Sequence, residues 1–223
     1  MKYHRLKLGV NRAQSIDKQT ETRLENARLE VFGRDSNTCR FCGFQSDKYQ
    51  RIAYLDSNPT NLNPDNLLTA CIFCAQCMDL ESAAAMESGV IIWLPEVGQA
   101  ALNHIMRAAY ISRLTKGPMM EAGDHIVDQL IDRRADAKRR LGSDDPKVLA
   151  TVMKDFLDDK QYVKSHKRLA GLRLFPLDRR MIKDDGMEYN QFPQILAYWR
   201  SRRGPMGGKS PQDWLTEYAE STG

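Results

Sequence analysis

Apolar residues recur at helical spacing through most of the second half of the chain. From Gln99 to Leu114, Leu102, Ile105, Met106 and Ala109 fall at i, i+3, i+4 and i+7, the stripe of an amphipathic helix. Gly117-Pro118 ends it. Met119 to Leu141 reads as another helix, with Val127, Leu130 and Ile131 inward. Its basic last turn, Lys138-Arg139-Arg140, stands before a stop at Gly142. Asp145 as N-cap and Pro146 at the first helical position open a helix to about Leu157, with Leu149, Val152, Met153 and Phe156 inward. A further helix is expected over Asp158 to Ala170, then an extended segment, Gly171 to Pro176. Phe192, Ile195, Leu196 and Trp199 give one more helical stripe. Arg200 to Lys209 is basic and glycine-rich, the composition of a linker. Ser210-Pro211-Gln212-Asp213 is a capping box opening a last helix with Trp214, Leu215 and Tyr218. Core packing suits Trp93 and Trp199, whereas Trp214, after the linker, is the better candidate for a contact outside the domain.

The first half is patterned differently. Tyr3 to Leu8 alternates weakly, as a short strand would, and Asp17 to Phe32 carries Leu24, Ala27, Leu29 and Val31 among many charges, a helix. Gln50 to Leu55 and Val90 to Leu94 are strand candidates, the second stopped by Pro95. Asn58 to Asn66 is turn chemistry, and a helix is expected from the second cysteine pair through Met86. The fold class is therefore α+β, a small strand-containing core followed by a largely helical C-terminal half.

Composition narrows the field without naming a function. Apolar residues at 42% and charged residues at 28% fit a soluble globular protein, and no run approaches the roughly 18 apolar residues of a membrane span. The N-terminus has no apolar export segment, so a cytoplasmic location with reduced cysteines is expected. The net charge of +4 permits a nucleic-acid or acidic partner and demands neither. Clusters such as Lys138-Arg139-Arg140 and Arg200 to Arg203 read first as solvated faces.

The five cysteines change the picture, because all lie between Cys39 and Cys77. Cys39-x-x-Cys42 and Cys71-x-x-Cys74 are two knuckles that can aim four thiolates at one centre, the donor set of a closed structural zinc site. Cys77, one helical turn after Cys74, is the alternative fourth ligand, although the Cys-x-x-Cys turn favours Cys74. A closed site stabilises rather than catalyses, contributing on the order of 10 kcal/mol in small domains.

Arg34-Asp35, Thr38-Cys39-x-x-Cys42-Gly43, Asn58-Pro59-x-Asn61-x-Asn63-Pro64-Asp65-Asn66-Leu67 and Thr69-x-Cys71-x-x-Cys74 resemble the HNH nucleases that carry a four-cysteine zinc staple. The resemblance implies a zinc-stapled ββα core. It also places that family's catalytic Asp-His pair on Ala53 and Tyr54, and a further histidine on Ala75. A phenol with a pKa near 10 is no general base at neutral pH, and Ala53 can hold no metal, so no catalytic residue is expected. Of the histidines, His4, His104, His125 and His166, none lies in the motif.

A second resemblance is more specific. Cys39-Arg40-Phe41-Cys42-Gly43-Phe44-Gln45, Leu55-Asp56, Thr60-Asn61, the run Asn66 to Cys77 with its Phe73-Cys74-Ala75-Gln76-Cys77, Glu81 and Trp93-Leu94-Pro95-Glu96 are similar to the IcmJ/DotN family of type IVB secretion systems. The likeness covers Phe32 to Leu114, with an echo at Leu172 to Pro176. It implies a non-catalytic cytoplasmic scaffold, peripheral to the inner membrane through its partner. That partner would be the C-terminal tail of the coupling ATPase (DotL-like), with adaptor proteins as further partners and no direct membrane insertion. The expected organisation is a zinc-binding HNH-like domain over 1–117, a helical extension packed on it over 118–203, and a linker with a terminal helix over 204–223. The alternatives are a non-catalytic nucleic-acid-binding zinc domain, and a nuclease with displaced residues such as His104 or His125.

Overall fold

The computed structural model describes residues 2–12 and 18–222, without the side chains of 218 and 222. Residues 2–12 form no strand, contrary to the expectation for Tyr3 to Leu8. Their backbone is tied one bond at a time to partners that are not strands: His4 N–H to Arg40 O at 2.8 Å, Gly9 N–H to Cys77 O at 2.8 Å, and Arg12 N–H to Ser57 O at 2.9 Å. Leu8 and Val10 are nevertheless buried.

Helix α1 spans Lys18–Arg34 and buries only Val31; Leu29 is 77% exposed, and the expected start at Asp17 lies outside the described residues. Strands β1 (Gln50–Tyr54) and β2 (Leu67–Cys71) pair antiparallel, Ala53 opposite Leu68, and α2 (Ile72–Met78) follows at once. The helix expected to run through Met86 breaks at Asp79, whose side chain accepts from Ser82 N–H at 3.1 Å and caps α3 (Leu80–Ala85).

Strand β3 (Gly89–Trp93) is followed by α4 (Gln99–Ser112), α5 (Pro118–Ile131) and α6 (Arg134–Leu141). The sequence pattern favours one helix from Met119 to Leu141, but the structure has two. The junction is docked on β3: the Arg133 carbonyl accepts Trp93 N–H at 3.2 Å in addition to the helical bond from Ala137 N–H at 3.3 Å. Gly142 closes α6 in the left-handed conformation, φ 78°.

Helix α7 (Pro146–Asp155) starts at the expected Asp145 cap and buries Leu149 and Met153, while Val152 and Phe156, expected inward, are 43% and 72% exposed. The stripe that faces the core is narrower than the apolar pattern. Helix α8 (Asp159–Arg168) carries a capping box from Asp158 and Gln161.

Strand β4 (Leu172–Pro176) pairs antiparallel with β3, Ile91 opposite Leu174, and so joins two segments distant in sequence. The other edge of β3 is also taken, by Asp144 O from Ile91 N–H at 2.8 Å and by Arg133 O. Gly171, at φ 106°, lies under the Trp93 ring, where a Cβ would come within 2.6 Å of it. A hairpin absent from the sequence reading, β5 (Met181–Asp184) and β6 (Met187–Asn190), turns through Asp185-Gly186 with positive φ at both.

Helix α9 (Phe192–Arg200) sends Phe192, Ile195, Leu196 and Trp199 into the core. Phe73 of α2 meets Trp199 edge-on at 5.5 Å, and Phe44 meets the same ring at 5.5 Å, so the helical half packs on the cysteine region. The expected linker is folded into consecutive turns; Met206 N–H donates to Trp199 O at 3.2 Å. Helix α10 (Pro211–Thr222) begins at the expected box, with Ser210 N–H to Asp213 Oδ2 at 2.6 Å. Trp214, expected as a contact outside the domain, packs partly buried against the main core. Among the described residues no helix is long and apolar enough to cross a membrane.

Candidate metal centre

The first knuckle is a tight turn. Gly43 N–H donates to Cys39 O at 2.9 Å, Cys39 N–H to Phe44 O at 3.0 Å, and Gly43 takes φ 77°, so the chain reverses around the two sulfurs. The second knuckle lies where β2 gives way to α2: Cys71 is the last strand residue and Cys74 sits in the first helical turn. β1–β2 pairing sets Gln50 opposite Cys71, and the buried Gln50 side chain donates to Asn37 O at 2.6 Å and Phe44 O at 3.3 Å, which ties the two knuckles together.

The sulfurs of Cys39, Cys42, Cys71 and Cys74 all lie within 4.8 Å of one another, and the Cys42–Cys71 separation is 3.7 Å. A tetrahedron with metal–sulfur bonds of about 2.3 Å has sulfur–sulfur edges of about 3.8 Å, so the four donors fit one ion. Cys39, Cys71 and Cys74 are buried, and Cys42 is half-buried. Burial pushes the Cys71 and Cys74 thiols up, while hydrogen bonds from its three neighbours hold Cys42 down. Four sulfurs this close carry their charge together only with a cation among them.

Cys77 is not part of the group. Its thiol donates to Phe73 O at 3.1 Å, and burial pushes it up.

Two residues that the sequence reading missed touch the cluster from α4. Asn103 Nδ2 donates to Cys74 Sγ at 3.3 Å, and Arg107 Nη2 to Cys71 Sγ at 3.3 Å. Arg107 is 1% exposed and forms no ion pair with a carboxylate among the described residues; its guanidinium lies 3.7 Å over the Phe44 ring. Their signal was available: two polar residues spaced by four on the stripe that holds Leu102 and Met106. His104 lies beside them, its Nε2–H on Cys42 O at 2.7 Å and its Nδ1 accepting from Arg107 at 3.2 Å.

Ala53, Tyr54 and Ala75 are brought together elsewhere, on the wall of a cavity of about 260 Å³ between β1, α2 and Arg180. Ala53 is buried, and the Tyr54 hydroxyl is raised by burial and then by Asp79. No histidine lines this cavity; His104 is held at Cys42, and His125 is exposed on α5. Asn66 braces the preceding loop, its Oδ1 accepting from Asp56 N–H at 3.0 Å and its Nδ2 donating to Asn61 O at 2.9 Å.

No family model matches the chain. Among curated proteins, the type 4 apparatus protein DotN of Legionella pneumophila is 31% identical over 163 residues, spanning 71% of this chain and 76% of DotN. The chain belongs to the DotN family. Membership of the DotN family accords with the cysteine-region pattern, and the observed class is α+β with small two-stranded sheets and many helices.

Proposed function

We propose that the chain is a non-catalytic, zinc-stabilised scaffold component of a type IVB secretion coupling complex, and that it binds the C-terminal tail of the coupling ATPase. The observation that carries this reading is the relationship to a type 4 apparatus protein over three-quarters of that protein's length. The cysteine group supports the stabilising role. Its four soft donors suit zinc, and a site closed by four protein ligands leaves no position for substrate or water. Cys39, Cys42, Cys71 and Cys74 would hold the ion, which would tie the turn before β1 to the start of α2.

The non-catalytic part rests on the cavity at Ala53, Tyr54 and Ala75. An HNH-like ββα arrangement of β1, β2 and α2 would place its reacting group there, and the lining offers a phenol and methyl groups in place of an imidazole. The protein would act on the cytoplasmic side, reaching the membrane through its partner.

The test is a pull-down and calorimetric titration of the zinc-loaded chain with the cognate coupling-ATPase tail. Binding at micromolar concentration or tighter is expected. Its absence, with the chain folded and loaded, would refute the proposed partner. Magnesium-dependent plasmid nicking by the pure protein would refute the non-catalytic reading.

A further inference from the structure

We propose that the cavity bounded by Ala53, Tyr54 and Ala75 is a binding site for a small oxyanion, a phosphate or a carboxylate, held by Arg180 and Arg51. The proposal is independent of the secretion reading, since it rests on charges left without partners.

Arg180 is 5% exposed, yet it forms no ion pair among the described residues. Its Nε donates to Gln191 Oε1 at 3.2 Å, which orients the guanidinium, while Nη1 is buried with no hydrogen-bond partner. Arg51 is the second guanidinium lining the same cavity, and it too has no ion-pair partner among the described residues. Burial and then the neighbouring Arg51 charge push Arg180 down to about 10; burial and then Arg28, against Glu25, lower Arg51.

Confining two like charges in one pocket is costly unless an anion joins them. Arg107 shows the alternative, since its buried charge is answered by cysteine sulfur and aromatic faces. Among the described residues nothing comparable answers Arg180. The one carboxylate on the wall among the described residues, Asp79, is already committed: it accepts from Asn11 Nδ2 at 2.9 Å, Ser82 N–H at 3.1 Å and Ser82 Oγ–H at 2.6 Å.

The ligand's shape follows from the remaining groups. Guanidinium forks match the paired oxygens of phosphate and carboxylate. Gln76 Oε1, on the same wall, is buried without a donor, so it can accept a hydroxyl of the ligand. Hydrogen phosphate and hydroxy acids carry both features. The volume, about 260 Å³, is below the usual range for drug-sized ligands and suits a small molecule.

The test uses the full chain loaded with zinc, titrated calorimetrically with inorganic phosphate and, separately, with citrate at matched ionic strength. Saturable binding of at least one is expected, weakened at least tenfold in both Arg180→Met and Arg51→Gln. Binding of phosphate alone assigns a phosphoryl ligand, and of citrate alone a carboxylate ligand. No saturable binding of either at 20 mM (on the order of 2 kcal/mol of affinity), or binding unchanged in the variants, overturns the proposal. Arg51 is only half-buried, so Arg51→Gln keeps the test valid if the Arg180 variant does not fold.

Discussion

Arg107 on α4 donates from Nη2 to the Cys71 sulfur at 3.3 Å, and no carboxylate pairs with this buried guanidinium among the described residues. Four thiolates around a divalent cation would leave a net negative charge, which the arginine would offset from outside the ligand set. Arg107→Met should keep the aliphatic packing and lose that compensation. Metal affinity is expected to fall by about 10- to 100-fold, read by competition with a chelator.

The position of Cys77, bonded to Phe73 O and outside the group of four, separates it from Cys74. Cys74→Ser should purify with substoichiometric zinc and unfold at markedly lower temperature, whereas Cys77→Ser should retain one equivalent. Metal counting by mass spectrometry of the native proteins reads both. Removing zinc from the unsubstituted chain with a strong chelator should lower its melting temperature in the same way as Cys74→Ser.

Asp35 is buried at the end of α1. Burial alone would raise its pKa, but hydrogen bonds from Arg34, the Thr69 backbone and Arg40 outweigh it and hold the carboxyl at about 2 rather than 3.8. A depressed carboxyl contributes stability that is present above its unfolded pKa and is lost as pH falls through the folded one. The part of the stability difference between the chain and its Asp35→Asn variant that depends on pH should be about 2 kcal/mol, present near neutral pH and shrinking between pH 4 and pH 2. Denaturant titrations across that window measure it.

Gly171→Ala would place a methyl group 2.6 Å from the Trp93 ring at a backbone φ of 106°. Strain and overpacking together should cost about 2–4 kcal/mol. Phe156→Asp is the contrasting change: with the ring 72% exposed, stability should move by no more than about 0.5 kcal/mol, although the helical pattern alone places that residue in the core.

Features set by neighbouring residues were legible in the sequence. The two knuckles, the cap at Asp145, the box at Ser210 and the stop at Gly142 are all set by residues within a turn of each other, and each lies where its spacing placed it. What escaped was decided by distant partners. The α5–α6 junction sits against β3, with Trp93 N–H donating to the Arg133 carbonyl, and β4 is a strand because β3 is there to pair with it. The β5–β6 hairpin did announce itself through Asp185-Gly186, but none of its flanking residues is buried and they carry little alternation. At the cysteine cluster the four sulfurs were readable from their spacing, whereas Asn103 and Arg107 offered only the weaker signal of two polar residues four apart beside the apolar stripe.

The pairing of β3 with β4 has a consequence for how the polypeptide emerges from the ribosome. Gly89 to Trp93 is synthesised long before Leu172 to Pro176, and in the interval its donors, acceptors and the side chains of Ile91 and Ile92 have no cover on that side. A nascent or truncated product that includes β3 but ends short of Leu172 therefore displays a sticky ribbon that invites self-association. Expression of such fragments should yield inclusion bodies, however well the cysteine region folds.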